Sequence, residues 1–161
     1  MKSPIIRYLV PVLLGMLTAA CNQVKTDYYP NGNVRSAIAM DGDHYHGPAT
    51  FYFDDGTIMM ECYYLNDSLN GMMTRYYNNG TKKEMMFFRN NRPDSLYTLW
   101  SPQGHLLLEC FYRDSLLDGN YKDYYDNGQI KTRGKYRQGK GEGLWLFYDQ
   151  NGYIIRQENY E

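Results

Sequence analysis

Three kinds of side chain in this chain could do chemistry: thiols, imidazoles and carboxylates. Three cysteines stand at Cys21, Cys62 and Cys110, and three histidines at His44, His46 and His105. Imidazoles two apart on a strand share a face, so His44-Tyr45-His46 is a candidate metal pair, but no third ligand accompanies it at a metal-site spacing. His105 directly follows a glycine, the place of Asn33, Thr57, Thr81 and Gln129 elsewhere in the chain. That position reads as a solvated turn. Glu61, Glu84, Glu109 and Glu158 recur through the chain. A carboxylate-pair hydrolase needs two of them about 5–9 Å apart in a cleft. There is no Gly-x-Ser-x-Gly nucleophile motif, and Gly139-Lys140-Gly141 is a lone basic residue in a flexible connector rather than a phosphate loop. The expectation is a chain without catalytic residues, metal or cofactor.

Cys21 has a different context. Lys2 and Arg7 precede an apolar run, Tyr8 to Leu17, which ends in Thr18-Ala19-Ala20-Cys21. Basic residues, a short apolar core and small residues before a cleavage point have the layout of a secretory signal. The run is shorter than the ~20 residues a membrane span needs. Leu17-Thr18-Ala19-Ala20-Cys21 resembles a bacterial lipobox, with Thr18 where Leu is usual. The resemblance implies a signal peptide over residues 1–20, lipid attachment at Cys21, and a tether over 21–27. Residues 1–20 carry Lys2 and Arg7 and no acid, so the remainder holds 15 basic and 18 acidic side chains. A net-acidic body has no polybasic route to anionic lipid, and the acyl group would be the anchor. The same balance disfavours nucleic acid as a partner. By resemblance to Gram-negative lipoprotein sorting rules, Asn22 in the second mature position implies the outer membrane.

The elements that must position these groups are copies of one unit. Gly32, Gly56, Gly80, Gly104, Gly128 and Gly152 are 24 residues apart throughout, and Gly47, Gly71, Gly119 and Gly143 keep the same period, with Ser95 in the missing place. Four residues before each glycine of the first set stands an aromatic: Tyr28, Tyr52, Tyr76, Trp100, Tyr124 and Tyr148. Eight residues after it stand Met40, Tyr64, Phe88, Tyr112, Tyr136 and Tyr160. Asn-Gly or Asp-Gly after an aromatic strand predicts a β-hairpin with a tight turn in which both residues take positive φ. Six-residue segments, Arg113–Asp118 and Arg137–Glu142 among them, read as connectors between hairpins. The expected fold is all-β, an elongated antiparallel single-sheet array of about six hairpins over 28–161. Within it the aromatic columns would stack as ladders. The fourth unit, with Ser95 and Trp100-Ser101-Pro102-Gln103-Gly104, predicts a locally altered hairpin. Cys62 and Cys110 share a column two units apart, roughly 19 Å by strand spacing, too far for a disulfide.

Gly143-Leu144-Trp145-Leu146-Phe147-Tyr148-Asp149-Gln150-Asn151-Gly152 and Gly119-Asn120-Tyr121-Lys122-Asp123-Tyr124-Tyr125-Asp126-Asn127-Gly128 resemble the MORN-repeat variant family. That resemblance implies a non-enzymatic attachment or spacing module, here lipid-anchored and bound to a protein or envelope polymer. Many members of the variant group are described as antitoxin components, which implies an alternative: an envelope-anchored immunity protein that binds a toxin. A glycan-binding surface protein is the third reading, resting on the aromatic columns. The array's two exposed strand edges invite self-association.

Overall fold

The computed structural model describes residues 23–161 and contains one open sheet of 13 antiparallel strands. They are β1 (Gln23–Tyr28), β2 (Val34–Asp41), β3 (His44–Tyr52), β4 (Ile58–Leu65), β5 (Ser68–Leu69), β6 (Gly71–Tyr76) and β7 (Lys82–Arg89). The second half is β8 (Arg92–Trp100), β9 (Leu106–Arg113), β10 (Leu116–Tyr124), β11 (Ile130–Arg137), β12 (Lys140–Tyr148) and β13 (Ile154–Tyr160). Each strand pairs with the next in sequence, and the two-residue β5 is an offshoot on β4. β1 and β13 are the two edges of the sheet among the described residues. No helix occurs among the described residues.

The expected repeat sheet is therefore present, with four local differences. The Asn-Gly turns are three-residue loops. Tyr29 N–H donates to the Asn33 carbonyl at 2.8 Å and Gly32 N–H to the Tyr29 carbonyl at 2.9 Å, a pattern repeated at all six turns. Only the glycine has positive φ, from +80 to +88° across the set. The residue before it contributes its side chain instead. Asn31 Oδ1 accepts from Asn33 N–H at 3.0 Å, and Asp55, Asn79 and Asn127 do the same in their units. This is the Asx-turn bond, which ties the loop without a left-handed asparagine.

The supposed connectors are strand. Arg113 pairs with Leu116 and Arg137 with Lys140, leaving two-residue turns at Asp114-Ser115 and Gln138-Gly139. Here both turn residues have positive φ, as at Asn66-Asp67 and Asn90-Asn91. That matches the type I′ geometry expected of the other turn. Gln23–Asp27, expected as a tether, form most of β1.

The second glycine set marks bulges. The pairing register jumps at each of these places, between Ile38 and Met40 and between Leu117 and Tyr121 for example. Gly47 and Gly119 have φ of +116 and +129°. A Cβ on either would stand 2.9 Å from the Cβ of Ala39 or Phe111, so the side chain is excluded twice over. Ser95 takes the same bulge with φ +70°, in the left-handed region that costs an L-residue about 1–2 kcal/mol. The fourth unit's hairpin is otherwise unaltered, contrary to expectation. Ser101 N–H bonds the His105 carbonyl at 2.8 Å, and Ser101 Oγ accepts from Gln103 and His105 N–H in place of the Asx side chain.

The core is a row of side chains running across the strands on one face. Cα partners carry it from Lys25 to Ile38, Ala49 and Cys62, and from Met73 through Met86, Tyr97, Cys110 and Tyr121 to Gly134. Trp145 and Glu158 complete it. Ile38, Ala49, Cys62, Cys110 and Trp145 are buried. The Trp145 indole lies on Gly134: a Cβ there would meet indole carbons at 2.1–2.7 Å. Gly134 is thus a packing glycine, not a turn. Gly134→Ala should lower the unfolding free energy by about 1–3 kcal/mol through overpacking. Ser95→Gly should raise it by about 1 kcal/mol. Urea denaturation of the two variants beside the parent checks both signs.

Candidate interaction surfaces

Same-column residues in successive units lie two strands apart, roughly 9.6 Å. Aromatic pairs need ring centroids within about 4.5–7 Å. At the two-strand spacing a column reaches itself where the strand between carries a glycine, as Tyr121 and Trp145 do across Gly134, and among the described residues no ring pair joins Tyr28, Tyr52, Tyr76, Trp100, Tyr124 and Tyr148. All the other contacts join the expected column of Tyr64, Tyr112, Tyr136 and Tyr160 to rings on adjacent strands. Tyr121 meets Tyr136 at 5.5 Å and Trp145 at 5.4 Å, while Trp145 meets Tyr136 at 4.9 Å and Tyr160 at 6.0 Å. Tyr97 meets Tyr112 at 6.3 Å, and Tyr45 meets Tyr64 at 5.5 Å. The rings are occupied with one another, and Trp145 is buried.

The four recurring glutamates are each taken by a phenol. Tyr76 Oη donates to Glu61 at 2.6 Å, Tyr97 to Glu84 at 3.0 Å, Tyr124 to Glu109 at 2.7 Å and Tyr160 to Glu158 at 2.6 Å. The carboxylates hold the phenols protonated. The Tyr76 hydroxyl is pushed up to about 12 chiefly by its bond to Glu61, and that of Tyr124 to about 12 by burial and then Glu109. The bonds to Glu61, Glu84 and Glu109 tie neighbouring strands together, and that to Glu158 lies within β13. Burial raises the Cys62 and Cys110 thiols to about 11, and both are free.

His44 and His46 are used separately by the turn of the next unit. His44 Nδ1 meets the Asp67 carboxylate, and His46 Nδ1 lies 3.1 Å from Asn66 Oδ1. Asp67 also accepts from Tyr45 N–H at 2.7 Å and returns its own N–H to the Tyr45 carbonyl at 3.0 Å. Asn91 repeats this pair of bonds on Leu69. In the next unit Ser115 N–H still reaches the Pro93 carbonyl at 3.0 Å, and Pro93 has no N–H to satisfy. Each of these turns thus caps the strand behind it. Among the described residues no group of three His, Cys, Asp or Glu could hold a metal ion.

The face opposite the core row carries what the sequence did not suggest. Pro48 pairs with Tyr63, Met72 with Phe87 and Leu96 with Phe111. Tyr63, Met72, Leu96 and Phe111 are 43, 47, 38 and 40 % exposed. These large apolar groups form one stripe over successive units, where isolated exposed residues would need no explanation. The equivalent pairs farther on are Asn120 with Lys135 and Leu144 with Asn159. The stripe ends after the fourth unit. Its two columns are mixed, Ala39, Tyr63, Phe87, Phe111, Lys135 and Asn159 in one and Val24, Pro48, Met72, Leu96, Asn120 and Leu144 in the other, so no residue type runs through all six units. Cys21, the expected lipid site, lies outside the described residues, and no described helix is long and apolar enough to cross a membrane.

A model of the MORN repeat variant matches residues 45–66, 69–90, 117–138 and 141–161, more than half of the chain. The stretch without a match contains the fourth unit, with Ser95 and the Ser101 turn. No curated protein matches the chain.

The His44–Asp67 contact sets a pH dependence. The bond to Asp67, then its charge, raises the His44 imidazole above its ordinary value, and His44 lowers the Asp67 carboxyl. The raised group stabilises the fold fully below the unfolded histidine value and loses that as pH rises through its folded value. The lowered carboxyl acts from above the unfolded aspartate value and loses its contribution as pH falls through its folded one. An NMR titration should place His44 above ~6.5, and Asp67→Asn should return it toward that reference.

Proposed function

The chain belongs to the MORN repeat variant family, and from that premise we propose that it is a non-enzymatic, lipid-anchored interaction module of the bacterial envelope. MORN repeats are generally protein- or membrane-interaction modules, and the family is generally non-catalytic. The observation that carries the reading is the exposed apolar stripe Pro48, Tyr63, Met72, Leu96 and Phe111, which no other element of the described chain covers. A partner protein that laid apolar side chains along it would remove several large hydrophobic groups from water at about 25 cal/mol per Å².

The anchoring half rests on Lys2, Arg7, the apolar run and Leu17-Thr18-Ala19-Ala20-Cys21. Lipid attachment at Cys21 would hold the array's first edge at the membrane, because β1 begins only two residues later. Asn22 after the cysteine supports the outer membrane. Binding and neutralising a toxin is one form such an interaction could take, with the same stripe as its surface. Glycan stacking has less support, since the aromatic cluster at Trp145 is closed by its own neighbours.

Two measurements test the halves separately. Radiolabelled palmitate should enter the parent protein and be lost in Cys21→Ser; label that persists removes the anchoring claim. Affinity purification from membranes should recover one protein partner with the parent and little with Met72→Lys/Leu96→Lys. Equal recovery by a folded Met72→Lys/Leu96→Lys variant would remove the stripe as the docking surface.

A further inference from the structure

The two free edges of the sheet carry matched charges in matched columns. Six residues past the turn glycine, the core-row column holds Ile38, Cys62, Met86, Cys110 and Gly134, then Glu158. Seven residues before the glycine it holds Lys25, then Ala49, Met73, Tyr97, Tyr121 and Trp145. The row is uncharged at every internal place and charged only at its ends, with opposite signs. The adjoining row shows the same opposition: Asp27 is at its start and Arg156 at its end.

We propose that a second copy of this chain adds head to tail, β13 of one copy pairing antiparallel with β1 of the next in the register of the internal repeats. That register is fixed by the pairing of β2 with β3, where Ser36 meets Phe51, Ala37 meets Thr50 and Ile38 meets Ala49. Arg156, Gln157 and Glu158 occupy the places of Ser36, Ala37 and Ile38. Asp27, Thr26 and Lys25 occupy those of Phe51, Thr50 and Ala49. Extending the sheet places Arg156 opposite Asp27, Gln157 opposite Thr26, and Glu158 opposite Lys25. Two ion pairs form on one face of one strand pair. The same two columns already form an ion pair inside the array, where Arg75 lies 3.1 Å from Glu84.

Geometry favours this mode. The path from β1 to β13 contains an even number of strands, because β5 lies off it. A following β1 therefore runs antiparallel to β13 and begins a new unit in phase. A longer period is kept as well. Tyr29 Oη donates to the Tyr52 carbonyl, Tyr77 to that of Trp100 and Tyr125 to that of Tyr148, at 2.7–2.9 Å. The units are thus stitched in pairs, and the equivalent residues Phe53, Ser101 and Asp149 have no phenol to stitch one pair to the next. The junction falls between pairs, like those inside the chain. The charges have partners within their own copy: Lys25 Nζ lies 3.2 Å from Tyr45 Oη, Asp27 3.8 Å from Arg35, and Glu158 3.1 Å from Arg156. All are exposed pairs, which exchange partners at little cost. Inward charges on an edge strand also deter indiscriminate pairing. Charges of opposite sign at the two ends deter an apolar strand and admit this one. The inference does not depend on the lipid anchor.

The test uses the full chain in detergent, with Thr26→Cys on one preparation and Gln157→Cys on another. Cross-strand partners stand within disulfide reach. On mild oxidation the mixture should give a linked dimer of one copy of each variant, above the background of the parent chain. Gln157→Cys alone linking to itself would show a twofold β13 contact and overturn the proposal. Self-linking of Thr26→Cys, or a monomer at every concentration by sedimentation, would overturn it equally. Lys25→Glu/Asp27→Lys should weaken association roughly tenfold, as should Arg156→Glu/Glu158→Lys. A chain carrying both inversions should regain the parent affinity. Failure of that rescue, with the single inversions folded and weakened, would also contradict the register.

Discussion

A sheet of one layer has nothing to pack on except itself. No helix or second sheet covers either face of the described chain, so apolar burial must come from side chains lying across the strands against their neighbours. The row from Ile38 to Trp145 is that burial, and the rest of the sequence serves to keep it in line. A slip of one residue at any strand would turn that strand's contribution to the other face. The two turn types, the bulge at the second glycine column and the capping bonds of the next unit each fix the register again every 24 residues. In a nearest-neighbour array an error does not average out; it moves every later unit.

The same constraint explains residues that otherwise look like chemistry. Glu61, Glu84 and Glu109 each accept a tyrosine hydroxyl from a neighbouring strand, and Glu158 accepts that of Tyr160 on its own strand. His44 and Asp67 hold one turn against the strand behind it, and the cysteines fill small places in the core row. What the packing does not use is the stripe of Tyr63, Met72, Leu96 and Phe111 and the charged ends of the rows. Repetition builds the sheet, and the departures from it give the surface its individuality.

The period, the hairpins and the single antiparallel sheet were legible because glycine at a left-handed turn is replaceable only at a cost, so it recurs visibly. The roles within the unit were less legible. Asn-Gly suggested a two-residue turn, whereas the asparagine acts through its side chain and the two-residue turns lie in what read as connectors. The aromatic columns were identified correctly as columns. Strand spacing favours pairing between adjacent strands, with Trp145 between Tyr136 and Tyr160, and the bare Gly134 lets Tyr121 reach Trp145 within one column. Gly134 was invisible as a packing residue, because its cause, the Trp145 ring, is 11 residues away in sequence and adjacent only in the sheet. The exposed stripe left only a partial signature, Tyr63, Phe87 and Phe111 at 24-residue spacing, which does not run through all six units.

If nearest-neighbour packing alone holds the array, stability must vary along it. Hydrogen exchange followed strand by strand at low protein concentration tests this directly. Slow exchange should centre on β7 to β11, falling toward both β1 and β13, since an edge strand has one neighbour and an inner strand two. Uniform protection from Gln23 to Tyr160, with β1 and β13 opening only in global unfolding, would contradict the account.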